Sequence, residues 1–154
     1  MEIINAESSS GPRSLFPPPS LSNDERRDSP LSISCNWQVS NNKQLIDAVT
    51  TASIKYAPER VSCETVVSLD TCVALQPVDS NAEPCVLTIE VLNCQKIARV
   101  AIVSEGNVLE IFKQFGEYEG TITAEFIDEF EKSVVYLGET TIHPPTTEVG
   151  IKVG

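Results

Sequence analysis

The chain has 154 residues, enough for one domain of ordinary size. At 41% hydrophobic and 21% charged residues it can build a core, and its formal net charge of −11 opposes nucleic acid and anionic membrane surfaces as partners, since both attract Lys and Arg. No apolar run approaches the roughly 20 residues of a membrane span, no basic start precedes an apolar core, and Glu2 and Glu7 oppose an Arg-rich presequence; the expectation is a soluble intracellular, cytoplasmic protein without direct membrane insertion.

Residues 1–30 read as a tail. SSSGPRSLFPPPSLSN is rich in Ser and Pro, and DERRD has little to bury, so the segment cannot offset its ordering entropy. Leu15 to Pro19 is a stiff spacer or, in the sharper reading, a polyproline II ligand. Order is expected from residue 31 to residue 154 as one β-sandwich domain. Trp37 is a lid on its core or a ligand platform. Asn41 and Asn42 are candidate caps for a helix over 43–56, with Leu45, Ile46 and Val49 on one face, although the β-branched run TTASI opposes it. Ala57-Pro58 ends that segment. Residues 61–69 and 72–75 read as strands around a turn at Asp70-Thr71, and 76–84 as a loop.

Between Cys85 and Val91 the apolar residues alternate, which fits a half-buried strand and no helix. Ile97 to Ser104 is apolar on both faces except at Arg99, as a strand covered on both sides would be. Glu105-Gly106-Asn107 is a tight turn, and Val108 to Phe112 is extended again. Short links between these three strands predict an antiparallel meander. Gly116 and Gly120 bracket an exposed turn at Glu117-Tyr118-Glu119. A strand over 121–127, an acidic turn over 128–132, a strand over 133–137, a rigid loop at His143-Pro144-Pro145 and a last strand through Val149, Ile151 and Val153 complete the chain. Seven or eight short strands with frequent turns predict an all-β antiparallel sandwich, with a jelly roll of the galactose-binding type as the nearest architecture.

Glu83-Pro84-Cys85 before a strand, then Ile-x-x-Val-x-Ile-x-Ser from Ile97 to Ser104, Leu109-Glu110-Ile111-Phe112 and Gly116-Glu117-Tyr118-x-Gly120-Thr121 occur in an order that resembles the N-terminal domain of the PAAT family, the proteins associated with ABC transporters. The resemblance extends more weakly from Ser34-Cys35-x-Trp37 to Gly150-Ile151-Lys152-Val153. It implies the galactose-binding type of sandwich, partners among the ABC half-transporters of the mitochondrial inner membrane, an ATPase activity with ATP as its ligand, and association with mitochondria. In the family a further strand, a long irregular region and a helical segment follow the part resembling GIKV. This chain is accordingly expected to be a shortened or divergent member that leaves an unpaired sheet edge.

The residues themselves supply little chemistry. No Gly-x-x-x-x-Gly-Lys-Ser/Thr or Gly-x-Gly-x-x-Gly run occurs, so ATP hydrolysis would need an unconventional site. His143, the sole histidine, is an exposed loop residue rather than a base. Five cysteines without a secretory context read as free thiols; Cys63 and Cys85 belong to strands, and Cys94 is the exposed one, with Lys96 nearby. No spacing suggests a metal loop, so no metal is expected. From Ala101 onward ten Asp or Glu face three Lys. That surface is either merely solvated or a docking face for a basic partner. The partner-binding candidates are Glu105, Glu117, Tyr118 and Glu119, with Tyr118 sealing the core edge or touching the partner. The leading expectation is a module that binds and modulates ABC transporters. The alternatives are an ATP-hydrolysing enzyme and a carbohydrate- or peptide-binding sandwich.

Overall fold

The computed structural model describes residues 1–6, 31–55, 71–80 and 83–154. The expected strand over 61–69, Asp70, Cys63 and the Ser/Pro-rich part of the expected tail lie outside the described residues. Among the described residues twelve strands run in chain order: β1 Glu2–Ala6, β2 Leu31–Cys35, β3 Gln38–Val39, β4 Thr50–Ser53, β5 Leu75–Gln76, β6 Cys85–Val91, β7 Lys96–Ser104, β8 Val108–Phe112, β9 Tyr118–Thr123, β10 Glu125–Phe130, β11 Ser133–Thr146 and β12 Glu148–Val153. They form one five-stranded sheet in the order β10-β11-β7-β1-β4, a second in the order β2-β6-β12-β8-β9, and a small β3-β5 pair. All pairings are antiparallel except β1 with β4. The protein is all-β.

The two large sheets share one core. Ile97, Val100, Ile102 and Ile142 from the first sheet meet Leu87, Ile89, Leu109, Ile111, Val149 and Ile151 from the second. Each such buried aliphatic side chain contributes about 1.5–3 kcal/mol. The alternation in β6 works as its sequence requires: Cys85, Leu87, Ile89 and Val91 are buried, and Val86, Thr88 and Glu90 are not. β7 is the covered strand its composition predicts, flanked by β11 and β1. Ala98 is its bulge residue, because Ile4 faces Arg99 while the next residue, Asn5, faces Ile97. The polar exception Arg99 is paired through Nε to Glu139 Oε1 at 3.4 Å.

Several expectations change. The three consecutive strands are not a meander: β6 and β8 lie in one sheet and β7 in the other. Alternation and burial dictate extended backbone, but β7 finds its partners in β11 and β1, remote in sequence. The link from β6 to β7 turns between sheets through Asn93 and Cys94, both left-handed at φ 61. The helix over 43–56 is reduced to a 3-10 turn at Leu45–Ala48 followed by β4, so the β-branched TTASI run prevails over the caps. The strand expected at 72–75 shrinks to the two-residue β5. The start of the expected tail is itself a strand, because β1 is inserted between β7 and β4.

The stretch 121–127 is two strands, not one. β9 borders β8 in the second sheet, β10 borders β11 in the first, and the chain passes between the sheets at Ala124. The acidic turn narrows to Glu131-Lys132, since Phe130 and Ser133 already pair. β11 runs nine residues beyond 137 and takes in His143-Pro144-Pro145; the expected loop is a bulge in a strand, its register jumping from Thr141–Arg99 to Thr146–Ile97. The last strand, β12, is an interior one between β6 and β8, while β2 and β9 are the edges of that sheet. Gly138 allows the sheets to approach closely: a Cβ there would collide with Leu109 Cδ1.

Candidate functional site

The hairpin joining β8 to β9 carries the most exposed large apolar side chain among the described residues. A 3-10 turn over Gln114–Gly116 reverses the chain, with Phe115 at φ 62, ψ 22 and Gly116 at φ 70. Two successive left-handed residues are what a type I′ turn requires, and Gly-containing pairs meet that demand at least cost. Phe115 has no such freedom and is 94% exposed. The sequence thus places an aromatic ring in an unfavourable backbone conformation and leaves it exposed rather than packed among the described residues.

The turn is braced on several sides. Lys113 N donates to Glu117 O at 2.7 Å and Gly116 N to Lys113 O at 3.1 Å. Lys113 Nζ lies 3.2 Å from Glu119 Oε2 and 3.6 Å from Glu117 Oε1. The hydrogen bond that Lys113 donates to Glu119, reinforced by the charge of both carboxylates, raises the Lys113 pKa above its ordinary value. Glu119 Oε1 also accepts from the His143 backbone N–H at 3.4 Å, tying the hairpin to the β11 bulge. Gln114 N donates to Thr146 Oγ1 at 3.4 Å, and that hydroxyl, in a buried residue, donates to Glu148 O at 3.2 Å. These contacts hold the tip's backbone in place.

Of the residues expected to bind a partner, Glu117, Tyr118 and Glu119 come together here, although not as one exposed turn. Tyr118 and Glu119 are the first residues of β9, and only Glu117 belongs to the turn. Tyr118 is 55% exposed, its hydroxyl shares a hydrogen bond with Thr121 Oγ1, and its ring meets Phe112 edge-on at 5.8 Å between centroids. The ring stands at the surface rather than over the core. Glu105 is not part of this group. It lies beyond the opposite end of β8, beside a cavity of about 570 Å³ also lined by Trp37, Leu45, Val49, Ile102 and Val153. Trp37 borders that cavity with its indole N–H donating to Glu83 O at 2.8 Å.

Sequence reasoning passed over Lys113 and Phe115. A usable signal was present in Phe115-Gly116: an aromatic directly before a turn glycine, outside the alternation of either flanking strand. His143 contributes its backbone amide and presents an exposed side chain. Among the described residues no group of three or more His, Cys, Asp or Glu is arranged to hold a metal ion. No helix among them is long and apolar enough to cross a membrane.

Fold and site together define a two-sheet β protein that presents a rigid aromatic tip with a carboxylate rim. The family model described as ATPase PAAT-like matches residues 72–153, more than half of the chain, and the chain belongs to that family. The match runs from just before β5 to the end of β12 and so includes the whole tip; the Ser34 to Trp37 motif lies outside it. No curated protein and no solved structure matches the chain.

Proposed function

We propose that this chain is a PAAT-type interaction module whose β8–β9 tip docks on an ABC half-transporter of the mitochondrial inner membrane and modulates it. The observation that carries this reading is the 94% exposed Phe115, fixed in a left-handed turn by a lysine clamped between two carboxylates. Exposed aromatic residues on a preorganised backbone are characteristic binding anchors, since little entropy remains to be lost on docking. The carboxylates around the ring call for a partner surface with an apolar pocket bordered by Lys or Arg. The same reading takes the fold to be a jelly roll of the galactose-binding type, supported by the alternation of β6, β7 and β8 between the sheets, and it places the protein at mitochondria with its partner. Immobilised full-length chain should retain a purified half-transporter in detergent, and Phe115→Ala should weaken that retention about tenfold or more while leaving the fold intact. Equal retention by an unrelated acidic sandwich would defeat the proposal.

The family's description as an ATPase favours a second reading, ATP hydrolysis by the chain itself. Its distinguishing result is phosphate release by the purified protein that is lost on Glu117→Gln or Glu119→Gln and kept on changing carboxylates remote from the tip.

A further inference from the structure

Cys35 and Cys85 are fifty residues apart in sequence, yet their sulfurs lie 3.6 Å from each other. They stand on neighbouring strands: Cys35 pairs with Leu87 across β2 and β6, and Asn36 N continues that ladder to Val86 O. Both thiols therefore belong to the inward faces of their strands. Sulfurs in van der Waals contact need only side-chain rotation and a small approach of the strands to reach bonding distance.

We propose that Cys35 and Cys85 form a reversible disulfide, a redox latch that fastens the edge strand β2 to β6 beside the cavity. The two thiols have different surroundings. Cys35 is half-buried and accessible to a small oxidant, and the Trp37 amide donates to its sulfur at 3.3 Å, which fixes the side chain's direction. Cys85 is 7% exposed. Burial first, and then the adjacent Cys35 sulfur, push its thiol up to about 12, so it does not compete as the initial nucleophile. The oxidant is a small disulfide of the glutathione class. Cys35, as thiolate, attacks one oxidant sulfur; the oxidant's S–S bond breaks, one thiolate departs, and a mixed disulfide remains on Cys35. That adduct removes the charge and the hydrogen bond of Cys35, which add to burial in holding the proton on Cys85. Cys85 then loses its proton and attacks Cys35 Sγ; the protein S–S bond forms and the second thiolate departs. Two electrons pass from the protein to the oxidant, and the two departing thiolates take up the two protons.

Asn36 shows that the latch acts on a segment already aligned for closure. Its side chain donates to Pro84 O at 2.8 Å and accepts from Val86 N at 2.7 Å, pinning the end of β2 to the start of β6 before any covalent bond forms.

The full-length chain, fully reduced, is equilibrated in glutathione buffers from reducing to oxidising, quenched with an alkylating agent, digested and mapped by mass spectrometry. The expected product is a Cys35–Cys85 cross-linked peptide that reverts with dithiothreitol and whose formation raises the urea midpoint. Cys85→Ser should arrest the reaction as a glutathione adduct on Cys35, and that adduct should persist at least tenfold longer than in the wild-type chain. Cys35→Ser should leave Cys85 without glutathione. A wild-type chain that keeps a stable glutathione on Cys35 with Cys85 free, or that joins Cys85 to Cys72 or Cys94 instead, overturns the proposal. Circular dichroism of each variant shows whether it has folded; the wild-type map decides the question even where a serine variant has not.

Discussion

Replacing Phe115 with asparagine should improve the stability of this protein and impair its docking. Phe115 occupies φ 62, ψ 22, and a side-chain-bearing residue in that left-handed region costs roughly 1–2 kcal/mol. With 94% of its surface exposed, the ring recovers almost none of that through burial. Asparagine forms local hydrogen bonds that suit the left-handed conformation, and an asparagine directly before Gly116 would make the pair that type I′ turns prefer. Since asparagine keeps part of the strain, the expected gain is about 0.5–1 kcal/mol, which for a chain of this size raises Tm by about 1–4 °C. The assay is urea unfolding followed by circular dichroism, where the midpoint should rise with an unchanged slope. In parallel, binding to the purified half-transporter should fall about tenfold or more. A lower midpoint would show that the ring stabilises the fold and that the strain argument fails. A higher midpoint with undiminished binding would remove the tip from the docking surface.

Gly138→Ala should destabilise the protein by about 1–3 kcal/mol, because the new Cβ would press on the fully buried Leu109 and force it from its rotamer; urea unfolding measures the loss. Lys113→Met should narrow its stability gap to the wild type as pH rises. The folded-state pKa of Lys113 is raised above 10.5, so its stabilising effect is complete below that pH and disappears as pH climbs through the folded value, which paired midpoints from about pH 8 to about pH 12 would reveal. Deleting residues 1–6 should lower the midpoint and speed amide exchange in β4 and β7, since β1 is hydrogen-bonded to both, whereas an unchanged exchange pattern would contradict that pairing.

What the sequence determined by itself is the local character of the strands. Alternation from Cys85 to Val91 decides which side chains of β6 turn inward, because successive residues point to opposite faces whatever the neighbouring strand is. The apolar run of β7 foretells burial on both sides, and Val149 and Ile151 foretell the core face of β12. The family could be recognised from the order of these motifs. Pairing was not legible, because hydrogen bonds between strands are made by backbone groups that every residue shares. Only the tertiary structure sends β6 and β7 to different sheets, divides 121–127 between two edges at Ala124, and inserts the first residues of the chain as β1. The candidate site divides in the same way. Glu117, Tyr118 and Glu119 are adjacent in sequence and remain together, whereas Glu105 is separated from them by the length of β8. The clamp on Lys113, the support from His143 and Thr146, and the meeting of Cys35 with Cys85 join residues 4 to 50 positions apart. The Lys113 clamp needs the β8–β9 hairpin and the cysteine pair needs β2 to dock on β6, while the contacts of His143 and Thr146 exist only after two sheets have closed on one core.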